Sequence, residues 1–184
     1  LSEGNTVIVA DVIESTKVGE PTKVFAPTKT VSDSKMVVYF LNVGQGDAII
    51  IESDAHYMLI DSGNNDDGNF VVNYLKELGV DNLDYVIGTH PHSDHIGGLD
   101  DVINEFKIGK VILPNKSHNT KTFEDVLDAI SNKGLKITKP KVGTEFVIGD
   151  ANFTIIAPNE DTYSNLNNYS VGIKLTYGQN SFVL

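Results

Sequence analysis

The chain has 184 residues, of which 40% are hydrophobic and 21% charged, a composition typical of one globular domain and not of a disordered chain. Its 14 basic residues, all lysines, stand against 25 acidic ones, and the net charge of −11 argues against a protein that coats nucleic acid by bulk charge alone. The absence of cysteine excludes disulfides, thiol catalysis and thiolate metal sites. Any metal must therefore be held by His, Asp or Glu.

Residues 1–35 are rich in Thr, Ser and Lys, which favours a linker or N-terminal arm before a domain that spans residues 36–184. The alternative is an edge strand at 6–13, where Val and Ile have good strand propensity. Because such an arm can tether a domain to a surface, we expect an extracellular or cell-surface location, with a cytoplasmic one as the alternative. Apolar runs such as residues 48–51 are far shorter than the roughly 18 residues of a membrane span.

From Met36 onward, apolar runs separated by breakers predict strands that alternate with amphipathic helices. The predicted strands cover residues 37–41, 48–51, 57–60, 85–87, 111–113, 135–138, 145–148, 152–157, 169–177 and 180–184, and the predicted helices cover 70–78, 96–106 and 121–133. The first two strands form a hairpin, in which Gly44 and Gly46 belong to a tight turn. This order predicts an α/β layered sheet with crossover connections.

Three of the five histidines lie in one hexapeptide, directly after the predicted strand 85–87. Because side chains alternate in extended backbone, His90 and His92 point the same way and can clamp one cation. As the chain turns into the next helix, Asp94 and His95 reach a neighbouring position and can hold a second cation. Two metals about 3.5–4 Å apart can share a bridging hydroxide and neutralise charge on an attacked phosphoryl or carbonyl group.

Asp61 ends the strand before this one, so it is predicted at the same edge of a parallel sheet. Its expected role is to orient the metal ligands and the bridging water, and we predict Asp61 and Asp94 as catalytic residues. His56 and His118 are single histidines, and both are predicted to be surface residues outside the site.

Eight of the fourteen lysines fall between Lys107 and Lys141. They are either an ordinary solvated surface or a rim that attracts a phosphate-bearing substrate beside an acidic metal site. The sequence leaves both interpretations open.

These motifs resemble those of the metallo-β-lactamase superfamily. The resemblance is carried by the segment 89–95 (THPHSDH) together with 59–63 (LIDSG). Two further segments, 40–48 (FLNVGQGDA) and 167–171 (NNYSV), are similar to the ComEC/Rec2-type hydrolase domain of competence proteins and its soluble relatives. The likeness covers roughly residues 36–184.

The resemblance implies an αββα sandwich with two divalent metal ions, zinc or manganese, and hydrolysis of phosphodiesters by a metal-bound hydroxide. It implies that His90 and His92 bind the first metal, that Asp94 and His95 bind the second, and that Asp61 supports them. We assign Asn168 and Ser170 to substrate binding. In many members a third histidine for the first metal comes from the region 167–170, where this sequence has no histidine.

The resemblance also places a bridging aspartate and a later histidine after the strand 181–184, and this sequence has neither. We therefore expect a sandwich that is incomplete at its C-terminus, a fragment of a larger hydrolase that binds metal weakly and has low or no activity. An open sheet edge favours self-association.

Three functions compete at this point. The first is metal-dependent hydrolysis of phosphodiesters such as nucleic acid, and the second is an ester hydrolase, for example a cell-surface phosphorylcholine esterase. The third is a non-catalytic binding module that lacks the later metal ligands.

Overall fold

The computed structural model describes residues 6–11 and 35–184. In these residues the strands are β1 (Thr6–Asp11), β2 (Lys35–Phe40), β3 (Ile49–Ser53), β4 (His56–Ile60), β5 (Asn82–Ile87), β6 (Lys107–Ile112), β7 (Ile137–Thr138), β8 (Glu145–Ile148), β9 (Ala151–Ala157), β10 (Gly172–Tyr177) and β11 (Asn180–Val183). The helices are α1 (Gly68–Glu77), α2 (Ser93–Ile96), α3 (Leu99–Glu105) and α4 (Lys121–Asn132), with short 3-10 helices at Asn65–Asp67 and Leu166–Tyr169.

The strands form two sheets. The large sheet has the order β1-β2-β3-β4-β5-β6-β7, antiparallel from β1 to β4 and parallel from β4 to β7. The small sheet is antiparallel, with the order β11-β10-β9-β8. The predicted hairpin of β2 and β3 and the following crossovers are confirmed.

The core has two layers, one on each face of the large sheet. On one face, Leu59 and Val86 pack with Leu75 of α1, Val102 of α3 and Val126 of α4. On the other face, the alternate strand residues pack against the small sheet, and this second cluster includes Met58, Ile60, Ile87, Phe153 and Leu175. Both faces of the central strands are therefore buried near the loop-bearing edge, which explains why residues 58–60 of β4 and 85–87 of β5 are apolar without alternation.

One row of paired residues crosses the large sheet at a single edge. Its members are Phe40, Ile49, Ile60, Ile87, Ile112 and Thr138, each paired with the next. The loops that follow β2, β4, β5, β6 and β7 consequently leave the sheet at the same edge. The segments 41–48, 61–64, 88–95 and 113–120 meet there, although the sequence separates them widely.

The prediction of an arm over residues 1–35 is wrong for residues 6–11, which form a strand. Thr6–Asp11 pairs antiparallel with β2 and extends the large sheet, as in the edge-strand alternative. Val7 packs against the core cluster between the large sheet and the helices, which explains why this strand pairs with β2. Its neighbours Ile8 and Val9 are exposed. The rest of the predicted arm, apart from Lys35 in β2, lies outside the described residues.

Two predicted elements are shorter than expected. The helix predicted at 96–106 is interrupted by Gly97 and Gly98, between α2 and α3. A Cβ atom at Gly97 would lie 2.2 Å from the backbone of Asn64, and one at Gly98 would lie 2.5 Å from Gly68, so this break permits close backbone packing. The strand predicted at 169–177 begins only at Gly172, because residues 166–169 form a 3-10 helix.

Candidate metal centre

Asp61 lies at the centre of the loop-bearing edge and is almost fully buried, with 1% of its surface exposed. Its carboxylate accepts three hydrogen bonds: from Thr89 N to Oδ1 (2.7 Å), from Thr89 Oγ1 to Oδ2 (2.6 Å) and from His95 Nδ1 to Oδ2 (2.7 Å). Burial raises the pKa of Asp61, and the hydrogen bonds from His95 and Thr89 counteract this only in part. Three donors facing the two oxygens match the carboxylate form.

The backbone of Asp61 is held in the left-handed region, with φ of +56°. Asp61 N donates to Ile87 O of β5, and Ser62 N donates to His95 O at 2.7 Å. The strand end after β4 is therefore fixed to the histidine segment by the main chain as well as by the side chain. The predicted proximity of Asp61 to this segment is confirmed.

His90 is held by two hydroxyl groups and is 5% exposed. Thr89 Oγ1 donates to Asp61, and Ser170 Oγ donates to Asn167 O at 2.7 Å. Because each hydroxyl has one hydrogen, both oxygens must accept from His90 Nδ1, which lies 3.0 Å from Thr89 Oγ1 and 3.2 Å from Ser170 Oγ. His90 therefore carries its proton on Nδ1 and a lone pair on Nε2.

The charge state of His90 suits this assignment. Burial, followed by the neighbouring His95 and His92, lowers the pKa of His90 to about 4. The ring is neutral at pH 7, which is the form that binds a metal.

His95 has the same orientation, since its Nδ1 donates to Asp61. Burial by itself lowers the pKa of His95, but the hydrogen bond and negative charge of Asp61 outweigh it, so the pKa lies above its ordinary value. The opposite nitrogen, Nε2, lies 4.0 Å from Asp94 Oδ2. The Asp94 carboxylate and the Nε2 side of the His95 ring thus face one another.

The three histidine rings of the segment are adjacent. The ring centroid of His90 lies 4.1 Å from that of His95 and 4.8 Å from that of His92. His92 is half-buried, and its backbone N–H donates to His90 O. All four predicted metal ligands are therefore brought together at one place.

Asp47 belongs to the site and was missed by the sequence analysis. Ligand atoms of Asp47, Asp61 and His95 lie within 4.8 Å of one another, and Asp47 Oδ2 is 3.7 Å from His95 Nδ1. Since that nitrogen already donates to Asp61, Asp47 adds negative charge behind His95, whereas Nε2 is the atom free to bind a cation. The signal was the Gly-x-Gly-Asp turn at a strand end, but without the sheet register it predicts only a hairpin.

The turn before Asp47 packs tightly on the histidine segment. Gly46 has φ of +96°, and a Cβ atom there would lie 1.7 Å from Asp94 O. Gln45 Nε2 donates to Asp94 Oδ2 at 3.5 Å, and Gly63 N donates to Asp47 O. The glycine at this position therefore allows one wall of the site to close.

The two residues assigned to substrate binding have different places. Ser170 reaches the site, but its hydroxyl supports His90 Nδ1 and is committed to Asn167 O, so the structure gives it a positioning contact. Asn168 is exposed, and its backbone N–H donates to Asn165 O within the 3-10 helix at 166–169. No contact between Asn168 and the histidines is found in the described residues.

The two single histidines also differ. His56 begins β4, at the end of the strand opposite Asp61, and pairs there with Asp84 at 3.0 Å. His118 is half-buried; its Nδ1 lies 3.1 Å from Pro91 O, and its ring centroid is 5.9 Å from that of His92. The surface prediction holds for exposed His56 and is wrong for His118, because β6 lies beside β5 and its loop reaches the histidine segment.

A groove of about 270 Å³ includes Tyr169, the neighbour of Ser170, in its wall. It lies between the loops after β6, β7 and β9, and its lining residues are Asn115, Pro140, Lys141, Val142, Pro158, Asn159, Glu160, Asp161 and Tyr169. Tyr169 precedes Ser170, and Lys116 Nζ lies 5.0 Å from the Tyr169 ring centroid. Lys121 and Lys133, by contrast, contact Asp125 and Phe106 O, so only part of the lysine-rich segment faces the groove.

The donor set fits a divalent cation. In His90 and in His95, a hydrogen bond holds Nδ1 and leaves Nε2 on the opposite side of the ring. Asp94 adds a carboxylate near Nε2 of His95. Histidine nitrogen and carboxylate oxygen are the ligands of zinc and related metals, and a carboxylate or hydroxyl partner behind each ring is the usual support.

Comparison with known proteins identifies this arrangement. A sequence profile of the metallo-beta-lactamase superfamily matches residues 41–164, about two thirds of the chain. The chain belongs to this superfamily. Metallo-beta-lactamase superfamily members are metal-dependent hydrolases, and their fold implies that a divalent metal binds.

Solved structures agree on the fold. A metallo-beta-lactamase of Cronobacter sakazakii with an HARLDQ motif has a TM-score of 0.58 and 14% identity, covering 79% of this chain and 57% of that one. The subclass B3 enzyme MEM-A1, from a soil metagenome library, has a TM-score of 0.55 and 18% identity, covering 79% and 58%. These likenesses confirm the predicted metallo-beta-lactamase-type α/β architecture.

A curated relative is ComE operon protein 3 of Bacillus subtilis (strain 168), which is 27% identical over 114 residues. The matched segment is 62% of this chain and 15% of that protein, so the chain spans a small part of this relative's length. Among the helices of the described residues, none combines the length and hydropathy that crossing a bilayer requires.

Proposed function

We propose that this superfamily domain hydrolyses phosphodiesters with two divalent ions, zinc or manganese. In this proposal His90 and His92 hold the first ion, and Asp94 and His95 hold the second. The observation that carries it is the hydrogen-bond network behind the rings, which fixes the proton of His90 and of His95 on Nδ1 and leaves Nε2 for a metal.

The chain's own residues position and shield this centre. Bound divalent ions would supply Lewis-acid activation of a water molecule and neutralise charge on the attacked phosphoryl group. Asp61 holds the His95 ring by a direct hydrogen bond and the His90 ring through Thr89. Because Asp61 is a buried carboxylate whose oxygens already accept three hydrogen bonds, its role is to orient ligands.

The groove supports a phosphodiester as the substrate class. Lys141 lines it and Lys116 lies over Tyr169, one residue from the Ser170 that contacts His90. These two ammonium groups suit a polyanionic chain such as nucleic acid, and the carboxylates of Glu160 and Asp161 in the same groove oppose them. The segment 40–48 and the match to ComE operon protein 3 support placing the domain with ComEC-type hydrolases.

The test compares metal content and phosphodiesterase activity of the unchanged chain and of His92→Ala, with His56→Ala as the matched control. After reconstitution with zinc or manganese and desalting, we expect up to two weakly held ions per chain and slow cleavage of bis-(p-nitrophenyl) phosphate and single-stranded DNA. His92→Ala should lose an ion and the activity, whereas His56→Ala should keep both. Equal activity in the His92 variant would contradict the proposal, and metal binding without hydrolysis would favour a binding module.

One observation favours a second candidate, an ester hydrolase acting on a substrate with a cationic headgroup. Glu160 and Asp161 line the same groove as Tyr169, and carboxylates beside an aromatic ring suit a quaternary ammonium ion. A substrate panel separates the two: cleavage of p-nitrophenyl phosphorylcholine but not of DNA would replace the first candidate by the second.

A further inference from the structure

The imidazole of His92 is held differently from the other two rings of the histidine segment. Hydrogen bonds hold Nδ1 of His90 and of His95. In the part of the chain that the structure describes, no hydrogen bond to the His92 ring is found. Its neighbours are two other rings in edge-to-face contact: the centroid of His90 lies 4.8 Å away and that of His118 lies 5.9 Å away. The orientation of His92 therefore depends on these contacts and on its backbone.

His118 reaches this ring from another part of the chain. Because β6 pairs in parallel with β5, the loop at 113–120 leaves the sheet at the same edge as the histidine segment. His118 is half-buried there, and its ring is inclined at 70° to that of His92. Its Nδ1 lies 3.1 Å from the carbonyl oxygen of Pro91, the residue between His90 and His92. A carbonyl oxygen only accepts hydrogen bonds, so His118 donates from Nδ1.

The peptide group that joins Pro91 to His92 is held at both of its polar ends. Its carbonyl oxygen accepts from His118, and its N–H, which belongs to His92, donates to His90 O at 3.0 Å. Because a peptide group is planar, these two hydrogen bonds fix the tilt of the whole plane. Together with the φ of His92, which is −86°, this plane sets the direction in which the His92 side chain leaves the backbone.

The start of α4 anchors His118. Thr120 is the residue directly before α4, and its Oγ1 accepts from Phe123 N at 3.4 Å. The same oxygen lies 3.4 Å from His118 Nδ1, slightly farther than the oxygen of Pro91. Both acceptors therefore lie at Nδ1, and through His118 the histidine segment is connected to α4.

We propose that His118 is a positioning residue that orients His92 for the ion that His90 and His92 hold. The hydrogen bond to Pro91 O fixes the backbone beside His92, and the His118 ring borders one side of the His92 imidazole. Such support strengthens metal binding because the free ligand already has the orientation of the bound one. The inference rests on the proposed metal centre and adds no ligand to it.

The test compares zinc binding by the unchanged chain, His118→Ala, His118→Asn and Ser117→Ala. Alanine removes the donor, whereas the asparagine amide keeps an N–H near the position of Nδ1 for the Pro91 carbonyl. Ser117 is an exposed neighbour in the same loop and serves as the control. We expect His118→Ala to weaken the ion at His90 and His92 roughly 10–100-fold, the usual loss when the support of a ligand is removed. His118→Asn should recover most of this loss, and Ser117→Ala should bind zinc as the unchanged chain does.

Long-range ¹H–¹⁵N spectra of the histidine rings identify which ion is affected. As zinc is added, the His92 resonances of His118→Ala should respond at higher zinc concentrations than in the unchanged chain, whereas those of His95 respond at the same concentrations. A general loss of structure would weaken both responses equally, and that result overturns the inference. An unaltered His92 response, or no recovery in His118→Asn, also overturns it and leaves the proposed function standing. If the rings of the unchanged chain do not respond to zinc at all, both are overturned.

Discussion

At the scale of single residues, Asp61 connects the two halves of the centre. One oxygen accepts from the backbone of Thr89, and the other accepts from the Thr89 hydroxyl and from His95. Through these bonds one buried carboxylate determines which nitrogen of His90 and of His95 is free. The arrangement depends on Asp61 having two acceptor oxygens and no hydrogen to donate.

Asp61→Asn tests this dependence. The amide replaces one acceptor by a donor, which conflicts with Thr89 Oγ1 and His95 Nδ1 unless the His95 proton moves to Nε2, where it blocks the metal. We expect zinc affinity to fall roughly 10–100-fold, measured by calorimetry. Asp84→Asn, which removes the partner of His56 at the other end of β4, is the control and should leave affinity unchanged. Equal losses in both variants would contradict the assignment.

A second residue-scale prediction concerns pH. The folded pKa of His90, about 4, is below the ordinary value of 6.5, so between these pH values the unfolded chain takes up a proton that the folded chain does not. The stability contribution is complete above pH 6.5 and is lost as the pH falls toward 4. Relative to His90→Asn, the metal-free chain should lose about 2 kcal/mol of unfolding free energy from pH 7 to 4, after allowance for solvent screening. Urea unfolding in chelator checks this, and parallel pH curves for the two proteins would refute it.

At the scale of elements, the turn between β2 and β3 acts as a wall of the centre. Gly46 combines a positive φ with backbone contact to Asp94, while Gly44 has φ of +72° and no other atom within 4 Å of an added Cβ. The two glycines of one turn therefore have different reasons to be glycine. Gly44 serves the turn conformation, and Gly46 serves the turn and its approach to the histidine segment.

Gly46→Ala and Gly44→Ala separate these reasons. We expect Gly46→Ala to cost about 2–4 kcal/mol of unfolding free energy, because the new methyl group displaces the Asp94 backbone, and to weaken metal binding. Gly44→Ala should cost only about 1 kcal/mol, the strain of positive φ, and leave metal binding intact. Urea unfolding and zinc titration of both variants provide the measurement. Equal costs for the two would show that the Asp94 contact is unimportant.

The elements also show which parts of the protein were predictable. The strands β2 to β6 and the helix face of α1 have strong local patterns. The hexapeptide from His90 to His95 comes after a strand in the sequence, so its place at a strand end is predictable without the order of the sheet. Asp47 and His118 have no such local signal. Their place depends on the parallel register of β4, β5 and β6 and on the β2 hairpin, which sequence periodicity does not specify.

Ser170 and α2 illustrate the same limit. Ser170 replaces an expected ligand, but only the distances show that its hydroxyl is committed to Asn167 and turned toward His90 Nδ1. The break between α2 and α3 depends on Gly97 and Gly98 meeting the segment 64–68, a contact between residues at least 30 positions apart. Apolar spacing alone extends a helix through both glycines.

At the scale of the whole molecule, the described residues form three layers: helices, the large sheet and the small sheet. The small sheet has β11 and β8 as its edges, where Val183 is 72% and Val147 is 68% exposed. Edge strands with apolar side chains are templates for pairing with another chain. Self-association, expected from the sequence, stays a prediction.

The double substitution Val147→Lys and Val183→Lys tests it. Charged side chains on edge strands oppose strand pairing, so the variant should be monomeric at concentrations where the unchanged chain forms larger species. Light scattering coupled to size-exclusion chromatography measures both, and circular dichroism controls for folding. A monodisperse unchanged chain at high concentration would count against the prediction.

The row of paired residues from Phe40 to Thr138 also bears on how the protein folds. Paired neighbours in this row are 9 to 27 residues apart along the chain. The loops that carry Asp61, His90 and His118 converge only after β4, β5 and β6 have paired in parallel. Parallel pairing is slow because long loops must close first. The proposed ligands His90 to His95 are close in sequence, but Asp61, which holds the His95 ring, joins them only when β4 and β5 have paired. We therefore expect metal to bind after the sheet has assembled. Refolding should proceed at the same rate with zinc or chelator, and only the rate of unfolding should respond to the ion.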